Sequence, residues 1–394
     1  MAKPVYKRQI SKEILSVTIE DVAFGGDGVT HLSDGKVCFI PFTLTGEEVD
    51  IEILDNRAKF AFGRVIKVTK PSDKRIEAAC TYYGDCGGCQ YGHVDYAYEV
   101  ELKKNQLKDM LKRMGKINCE LEVSASPQSE GYRKSIAIHT GKSGNIGFVD
   151  ITQEKILDIK NCVVTDPLLN NLLKTRPEEI VKSKAIDMYL KTDGTILSTP
   201  RRPLTLKYAY QDYTITYDVH CFFQAQHKVL TDILDILQTK IKKADVLFDL
   251  FCGVGVFGIA LQEHFEKVIG IEHAKRSVQL GQFNVQEMDK VHIFKGKVDD
   301  KFRAFYKKNH GASNVVIVDP SRQGLSSLGI NDLCTYSEID QIIYLSCEPS
   351  ILCRDLKKIT EKSNFRVTYT HLFDMFPRTK HFETLVILEK ASES

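Results

Sequence analysis

A cysteine at position 347 ends an apolar run, Ile342-Ile343-Tyr344-Leu345-Ser346, and is followed by Glu348 and Pro349. Beyond the proline, Ile351, Leu352, Leu356 and Ile359 recur at helical spacing. A thiol at the corner between a strand and a helix stands where open α/β sheets collect ligands and chemistry. An unperturbed thiol, with a pKa of about 8.5, is only a few per cent thiolate near neutrality. Pro349 suits the first helical position. The free N–H groups of that helix start are therefore expected to lower the thiol's pKa and to offset the charge of Glu348. The bland alternative is a buried, inert packing residue; the turn context favours a nucleophile.

A second pattern, Asp249-Leu250-Phe251-Cys252-Gly253-Val254-Gly255-Val256-Phe257-Gly258, sets three glycines between a strand and a helix, and Glu272 ends the next strand. This spacing also fits a dinucleotide fingerprint. Asp249 argues against that ligand, because a carboxylate beside the loop repels the pyrophosphate that a helix N-terminus attracts. The same carboxylate favours the ammonium and sulfonium of S-adenosylmethionine, and Glu272 is placed to accept ribose hydroxyls. Further along, Asp319-Pro320-Ser321-Arg322 ends a strand and Glu383 begins the last one. In an open sheet these strand ends share one rim.

Cys80, Cys86 and Cys89 form a compact group in which two glycines free the backbone to wrap a centre. The chain has eleven cysteines. In a chain this long, without a secretory signal, they read as thiols, ligands or nucleophiles rather than a disulfide scaffold. A fourth ligand is needed, and spacing alone leaves zinc and an iron–sulfur cluster both open.

The elements that must position these residues fall into three parts. Residues 1–75 read as short strands with Gly-rich turns, an OB-like β-barrel with Lys12, Lys59, Arg64 and Lys67 near its strands. Residues 76–218 form a less regular α+β region. Its helix carries Leu107, Met110, Leu111 and Met114 on one face. Lys104, Lys108 and Lys112 form a second stripe, which is either a solvated face or a set of phosphate contacts. "YRKSIAIHTGKSGNIGFVDI" reads as a hairpin turning at Gly141–Gly144, and "KILDIKNCVV" as a further strand. From 219 to 394 strands and helices alternate, which specifies a doubly wound, mostly parallel sheet.

The composition, 43% hydrophobic and 27% charged with a net charge of +2, is that of a globular protein with no global pull toward nucleic acid. No apolar run is long enough to span a bilayer, so no membrane partner is expected. The first sixteen residues lack a signal's apolar core, and a cytoplasmic monomer is expected.

Taken in order, "FFQAQ" (222–226), "DLFCGVG" (249–255), "GIE" (270–272), "DPSRQGL" (319–325), "SCEP" (346–349) and "PRTKHFE" (377–383) resemble the S-adenosylmethionine-dependent uracil-5 RNA methyltransferases. The resemblance covers nearly the whole chain, and the N-terminal barrel is similar to the TRAM module of that family. It implies an α/β fold: a C-terminal Rossmann-like class I methyltransferase domain, the TRAM barrel, and a central α+β iron–sulfur domain. It further implies that Gln224, Phe251, Glu272 and Asp319 contact the cofactor, joining Asp249, Gly253 and Gly255 from the loop. Cys347 would be the nucleophile and Glu383 the base. Apart from the resemblance, Arg322 is expected to face substrate RNA, as are Lys104, Lys108 and Lys112 where their stripe is read as phosphate contacts. Cys162 is the implied fourth ligand, and the resemblance tips the centre to [4Fe–4S].

The implied partner is structured RNA, ribosomal RNA ahead of the transfer-RNA T-loop. Two positions depart from the family pattern: Ser321 replaces a proline, and Glu348 replaces an asparagine. Cytosine-5 methylation is disfavoured, because Ser321 stands where a second cysteine follows Asp-Pro in some cytosine-5 enzymes. A catalytically silent iron–sulfur RNA-binding protein is disfavoured by intact Cys347 and Glu383.

Overall fold

The structure is a computed structural model that describes residues 14–191, 193–199 and 204–391. The chain divides into two compact units. The first takes the described part of Met1–Leu107 with Pro127–Leu190 and Phe376–His381; the second takes Lys108–Ser126, Lys191–Met375 and the described part of Phe382–Ser394.

The first unit opens with β1 (Ile14–Thr18), β2 (Asp21–Val22), β3 (Asp27–His31), β4 (Val37–Pro41), β5 (Glu48–Asn56) and β6 (Phe60–Lys70), a sheet ordered β1-β5-β6-β4-β3-β2. Period-2 alternation turns Cys38, Ile40, Val49, Ile51, Ile53 and Ala61 into one core. Lys59, Arg64 and Lys67 stay exposed. Lys12 lies outside the described residues. The Gly-rich stretch containing Asp27–His31 pairs as β3 with β4.

Helix α1 (Tyr96–Met110) runs into a π-helical turn at Leu111–Gly115 and stops at Lys116 in the left-handed conformation. Leu107 and Leu111 are buried as the spacing predicts, but Met114 is 45% exposed. The wider i→i+5 turn adds a residue, so the i+3/i+4 pattern no longer returns Met114 to the apolar face. Lys104, Lys108 and Lys112 are exposed. Beyond β7 (Glu122–Ser124), β8 (Ser135–Thr140) forms the expected hairpin with β9 (Ile146–Gly147). "KILDIKNCVV" is not a strand: a bridge from Val149 to Ile156 is its ladder contact, and Asp166 then caps α2 (Pro167–Thr175). Helix α3 (Glu178–Lys182) leads to β10 (Ala185–Leu190), which pairs with β8.

In the second unit β11 (Ile196–Ser198) precedes a hairpin of β12 (Thr205–Tyr210) and β13 (Tyr213–Asp218). Then α4 (His227–Lys240), β14 (Ala244–Leu250), α5 (Val256–Leu261), β15 (Phe265–Glu272), α6 (Lys275–Asn284) and β16 (Val291–Lys295) alternate. The alternation continues through α7 (Val298–Asn309), β17 (Asn314–Val318), α8 (Ser327–Thr335), β18 (Ile339–Ser346) and α9 (Pro349–Lys362). It ends with β19 (Phe365–Phe373) and β20 (Glu383–Lys390). The sheet order is β16-β15-β14-β17-β18-β20-β19-β7. β14 through β18 pair in parallel, whereas β20 is antiparallel to both neighbours. The continuous apolar runs of β14, β17 and β18 reflect burial on both faces. The strand order reverses between β14 and β17, so the crevice at their carboxyl ends is the predicted ligand site.

Candidate active site

The glycine loop after β14 is set by its backbone. Phe251 (φ 65°), Gly253 (φ 56°) and Gly255 (φ 91°) are all left-handed. A Cβ on Gly255 would lie 2.7 Å from Ile293 Cδ1, so the position needs glycine. The turn aims the Gly253 N–H at Glu272 Oε2 (3.2 Å), while Glu272 Oε1 accepts from the N–H groups of His273 and Ala274, both at 2.7 Å. Beside the loop lies a concavity of about 40 Å³, lined by Phe222, Gln224, Phe251, Gly253 and Asp319 among others.

Asp249, at the end of β14, is 1% exposed. Its Oδ2 accepts from the Gly258 N–H at 3.0 Å, which caps the first turn of α5. Among the described residues its Oδ1 has no partner, and neither does Nε2 of buried Gln224. Burial pushes the Asp249 carboxyl up to about 7, against the Gly258 hydrogen bond and with added repulsion from Asp319 and Glu272. Burial likewise pushes Asp319 to about 7. A buried acceptor and a buried donor, both unpaired, are costly without a ligand. Two carboxyls held back from ionising gain from a nearby cation. The ammonium and sulfonium of S-adenosylmethionine fit this donor set; a pyrophosphate does not. Gln226, two residues after Gln224, is structural: it bonds Met375 O at 2.6 Å and Ser126 Oγ at 3.0 Å.

Two strands away, Ser346 of β18 pairs with Thr384 of β20, which sets Cys347 opposite Glu383 one step beyond. Because β20 runs antiparallel, its first residue reaches the rim where the parallel strands end. Cys347 is half-buried and Glu383 is 2% exposed. The expected lowering of the thiol pKa is overturned. Burial first, then the Glu383 charge, push it up to about 11; the nearby Arg322 guanidinium opposes this, and Asp319 adds to the rise. Pro349 does open α9, and Glu348 is its N-cap, with its N–H on Ser346 Oγ at 3.1 Å. The Glu348 carboxylate accepts from Ser350 Oγ at 2.7 Å, so the acid that matters to the thiol is Glu383. Glu383 itself is raised well above the usual carboxylate range by burial, with Asp319 adding and Arg322 opposing.

Cys80, Cys86, Cys89 and Cys162 line one concavity of about 610 Å³ in the first unit, together with Arg133. Burial raises the thiols of Cys80 and Cys86, and that of Cys89 to about 12; each also feels Cys162. All four are free thiols. Among the described residues, no group of three or more His, Cys, Asp or Glu is arranged to hold a metal ion. Arg133 lies close enough to Cys89 and Cys162 to interact electrostatically with both. Sequence reasoning missed it, since "GYRKS" carries no ligand signal.

An eight-stranded sheet with this order, a strained glycine loop at its switch point and a buried acid beneath the loop define a Rossmann-like methyltransferase. Similarity to known proteins narrows that class. The model of the tRNA (uracil-5-)-methyltransferase family matches residues 202–391, and that of the TRAM domain matches 11–66. The chain is similar to the 23S rRNA (uracil(1939)-C(5))-methyltransferase RlmD of Vibrio campbellii, 25% identical over 99% of each chain. It is also 26% identical to the RlmD of Histophilus somni over 98% of each chain. Its fold is similar to the Pyrococcus abyssi tRNA (uracil-54, C5)-methyltransferase, solved with S-adenosyl-L-homocysteine. The TM-score is 0.74 at 21% identity, with 95% of this chain and all of that one covered. The chain belongs to the S-adenosylmethionine-dependent uracil-5 RNA methyltransferases.

Proposed function

We propose that this enzyme forms 5-methyluridine in 23S ribosomal RNA through a covalent adduct between Cys347 and C6 of the uracil. The observation that carries the reading is the placement of Cys347 opposite Glu383, with Arg322 beside the sulfur. Uracil C5 is a poor nucleophile until something adds at C6. The Cys347 thiolate adds there and the electron pair moves to an enolate, whose C5 would take the methyl group of S-adenosylmethionine as the methyl–sulfur bond breaks and its electron pair stays on the sulfur. Glu383 then takes the C5 proton, and the C6–S bond breaks to restore the double bond and the free thiolate.

The like-charge repulsion between the two groups gives the steps an order. While the thiolate is present, ionising Glu383 is costly. Once the sulfur is a neutral thioether, the part of that cost due to the sulfur's charge disappears and the carboxylate ionises more readily, while the part due to burial remains. Asp249, Gln224, Phe251, Gly253, Gly255, Glu272 and Asp319 would hold the methyl donor.

The preference for ribosomal RNA rests on whole-length similarity to the RlmD enzymes. Ser321, after Asp319-Pro320, leaves no second thiol there for cytosine chemistry. The domain reading is a TRAM barrel over 1–75, a cysteine-bearing region over 76–218 and the methyltransferase domain over 219–394. In the central region Cys80, Cys86, Cys89 and Cys162 would hold a [4Fe–4S] cluster, a structural cross-link whose net negative charge Arg133 would offset.

Unmodified 23S ribosomal RNA and unmodified transfer RNA, each incubated with methyl-labelled cofactor, test the reading. Label in 5-methyluridine from the ribosomal RNA supports it. Label only in transfer RNA moves the target, and label in 5-methylcytidine rejects the uracil chemistry.

A further inference from the structure

The loop that carries Asp319 and Arg322 is fastened to the helix beyond the nucleophile. Within the loop, the Gly324 N–H closes a turn on Ser321 O at 2.8 Å. The other contacts come from α9 and its strand. Asp355 is fully buried, and its Oδ2 accepts from the Leu325 N–H at 2.8 Å and from Tyr344 Oη at 2.7 Å. Arg354 donates through Nε to Asp355 Oδ1 at 2.7 Å and through a second nitrogen to the carbonyls of Gln323 (3.1 Å) and Leu325 (3.2 Å).

The fit at Gly324 is tight. Its φ is +70°, and a Cβ there would lie 2.3 Å from Ile351 Cγ2 and 2.5 Å from Asp355 Oδ2. Tyr344 precedes Cys347 by three residues on β18, and α9 begins two residues after it. The nucleophile and the loop that bears its cation therefore hang on one strand–helix unit. A buried carboxylate satisfied by an arginine, an amide and a phenol is an expensive way to close a surface loop. It fixes geometry in a way that apolar packing would not.

We propose that Asp355 and Arg354 are positioning residues that lock the Asp319–Leu325 loop onto α9 so that the Arg322 guanidinium faces the Cys347 sulfur. This rests on the reading of Cys347 as nucleophile. The groups facing that sulfur are Arg322, Glu383 and Asp319, and of these only Arg322 favours the thiolate.

The test is the pH dependence of Cys347 alkylation by iodoacetamide in the full chain, read from the Cys347 peptide by mass spectrometry. Arg322→Gln sets the scale. Its rate at pH 8.5 should fall by about three- to tenfold, as loss of up to about one pKa unit of stabilisation requires. Asp355→Asn and Gly324→Ala should each reproduce most of that fall, and Tyr344→Phe a smaller part. Gly324→Ala changes no charge and keeps the test open if Asp355→Asn fails to fold. The lock is overturned if folded Gly324→Ala and Tyr344→Phe titrate as wild type while Arg322→Gln shifts. It is equally overturned if Arg322→Gln does not shift. Methyl transfer surviving in Cys347→Ser would instead bring down the nucleophile reading itself, and the lock with it.

Discussion

Cys347 and Glu383 stand opposite each other across one antiparallel strand pair, one residue past the Ser346–Thr384 pairing of β18 and β20. Seven of the sheet's eight strands run the same way, with β20 alone against them, and the carboxyl ends of β14, β15, β17 and β18 carry the glycine loop, Glu272, Asp319 and Cys347. A base at the start of a strand reaches that rim only if its strand runs the other way, as β20 does. The topology thus brings the Glu383 carboxyl toward the Cys347 thiol without a long loop, and Glu383 is held by pairing with Phe373 of β19 while the next residue, Thr384, pairs with Ser346 of β18.

That opposition predicts where the reaction stops in two variants. Cys347→Ala removes the group that adds at C6, so neither methyl transfer nor a protein–RNA bond should form. Glu383→Gln keeps addition and transfer but removes the base that a slow elimination needs. It should accumulate methylated RNA bonded to the protein, seen as a retarded band in a denaturing gel, with turnover down by at least about 10²-fold. Normal turnover in Glu383→Gln, or a band in Cys347→Ala, would reverse the roles.

Asp249 gives a prediction in pH. Its carboxyl titrates near 7 in the folded chain against an ordinary 3.8, so the folded state holds a proton that the unfolded state releases. The associated stability is complete below about 3.8 and is lost as the pH rises through about 7. Without cofactor, Asp249→Asn should be more stable than wild type at pH 8 by on the order of 2–4 kcal/mol, and equal to it at pH 4. Its affinity for S-adenosylmethionine should fall at least about tenfold, because a charged hydrogen-bonding partner is lost. Denaturant melts at the two pH values and calorimetric titration check both halves. Equal stability at pH 8 would remove the buried-acid account.

Much of this was legible in the sequence because local pattern and tertiary role agree. The apolar runs of β14, β17 and β18, the glycines of the loop and the Pro349 helix start each announce their element. What escaped depends on partners distant in sequence. Asp249 reads as a ligand for a cation, yet half of its carboxylate caps α5 through Gly258, a contact between residues nine apart. The thiol of Cys347 looked activated by its helix start. Its actual setting is dominated by burial and by Glu383, whose position depends on strand direction and cannot be read from spacing. Met114 failed for a local reason: a π-helical turn shifts the register that an ideal helix would keep. The Asp355 lock was invisible because "CRDL" reads as one more turn of an amphipathic helix.

The lysine stripe on α1 and the turn after it makes a test of RNA holding. Lys104, Lys108 and Lys112 are all exposed. Replacing all three with Ala should weaken binding of ribosomal RNA fragments and reduce the slope of log affinity against log salt by up to about 2–3 if each meets a phosphate. Filter binding between 50 and 300 mM salt, roughly the range over which such slopes are read, decides it. An unchanged slope assigns the stripe to a solvated face.

The cysteine concavity is tested by its contents and by the effect of removing one ligand. Three of its thiols are raised by burial, so an empty site keeps them protonated, and metal binding must displace those protons. Protein purified without oxygen should therefore be brown, contain iron and acid-labile sulfide in equal amounts, and bind them more weakly as the pH falls. One zinc and no sulfide would reject the cluster, and no metal at all would reject the centre. Cys86→Ala should lose the colour and destabilise the surrounding chain, since Cys86 also bridges the backbone of Asp150. Cys38→Ala, in the core of the β1–β6 sheet, should keep the colour. Limited proteolysis of the two variants separates the cases: new cleavage between Cys80 and Cys162 is expected in Cys86→Ala and not in Cys38→Ala. Identical digestion patterns would mean that the concavity folds without any help from a bound centre.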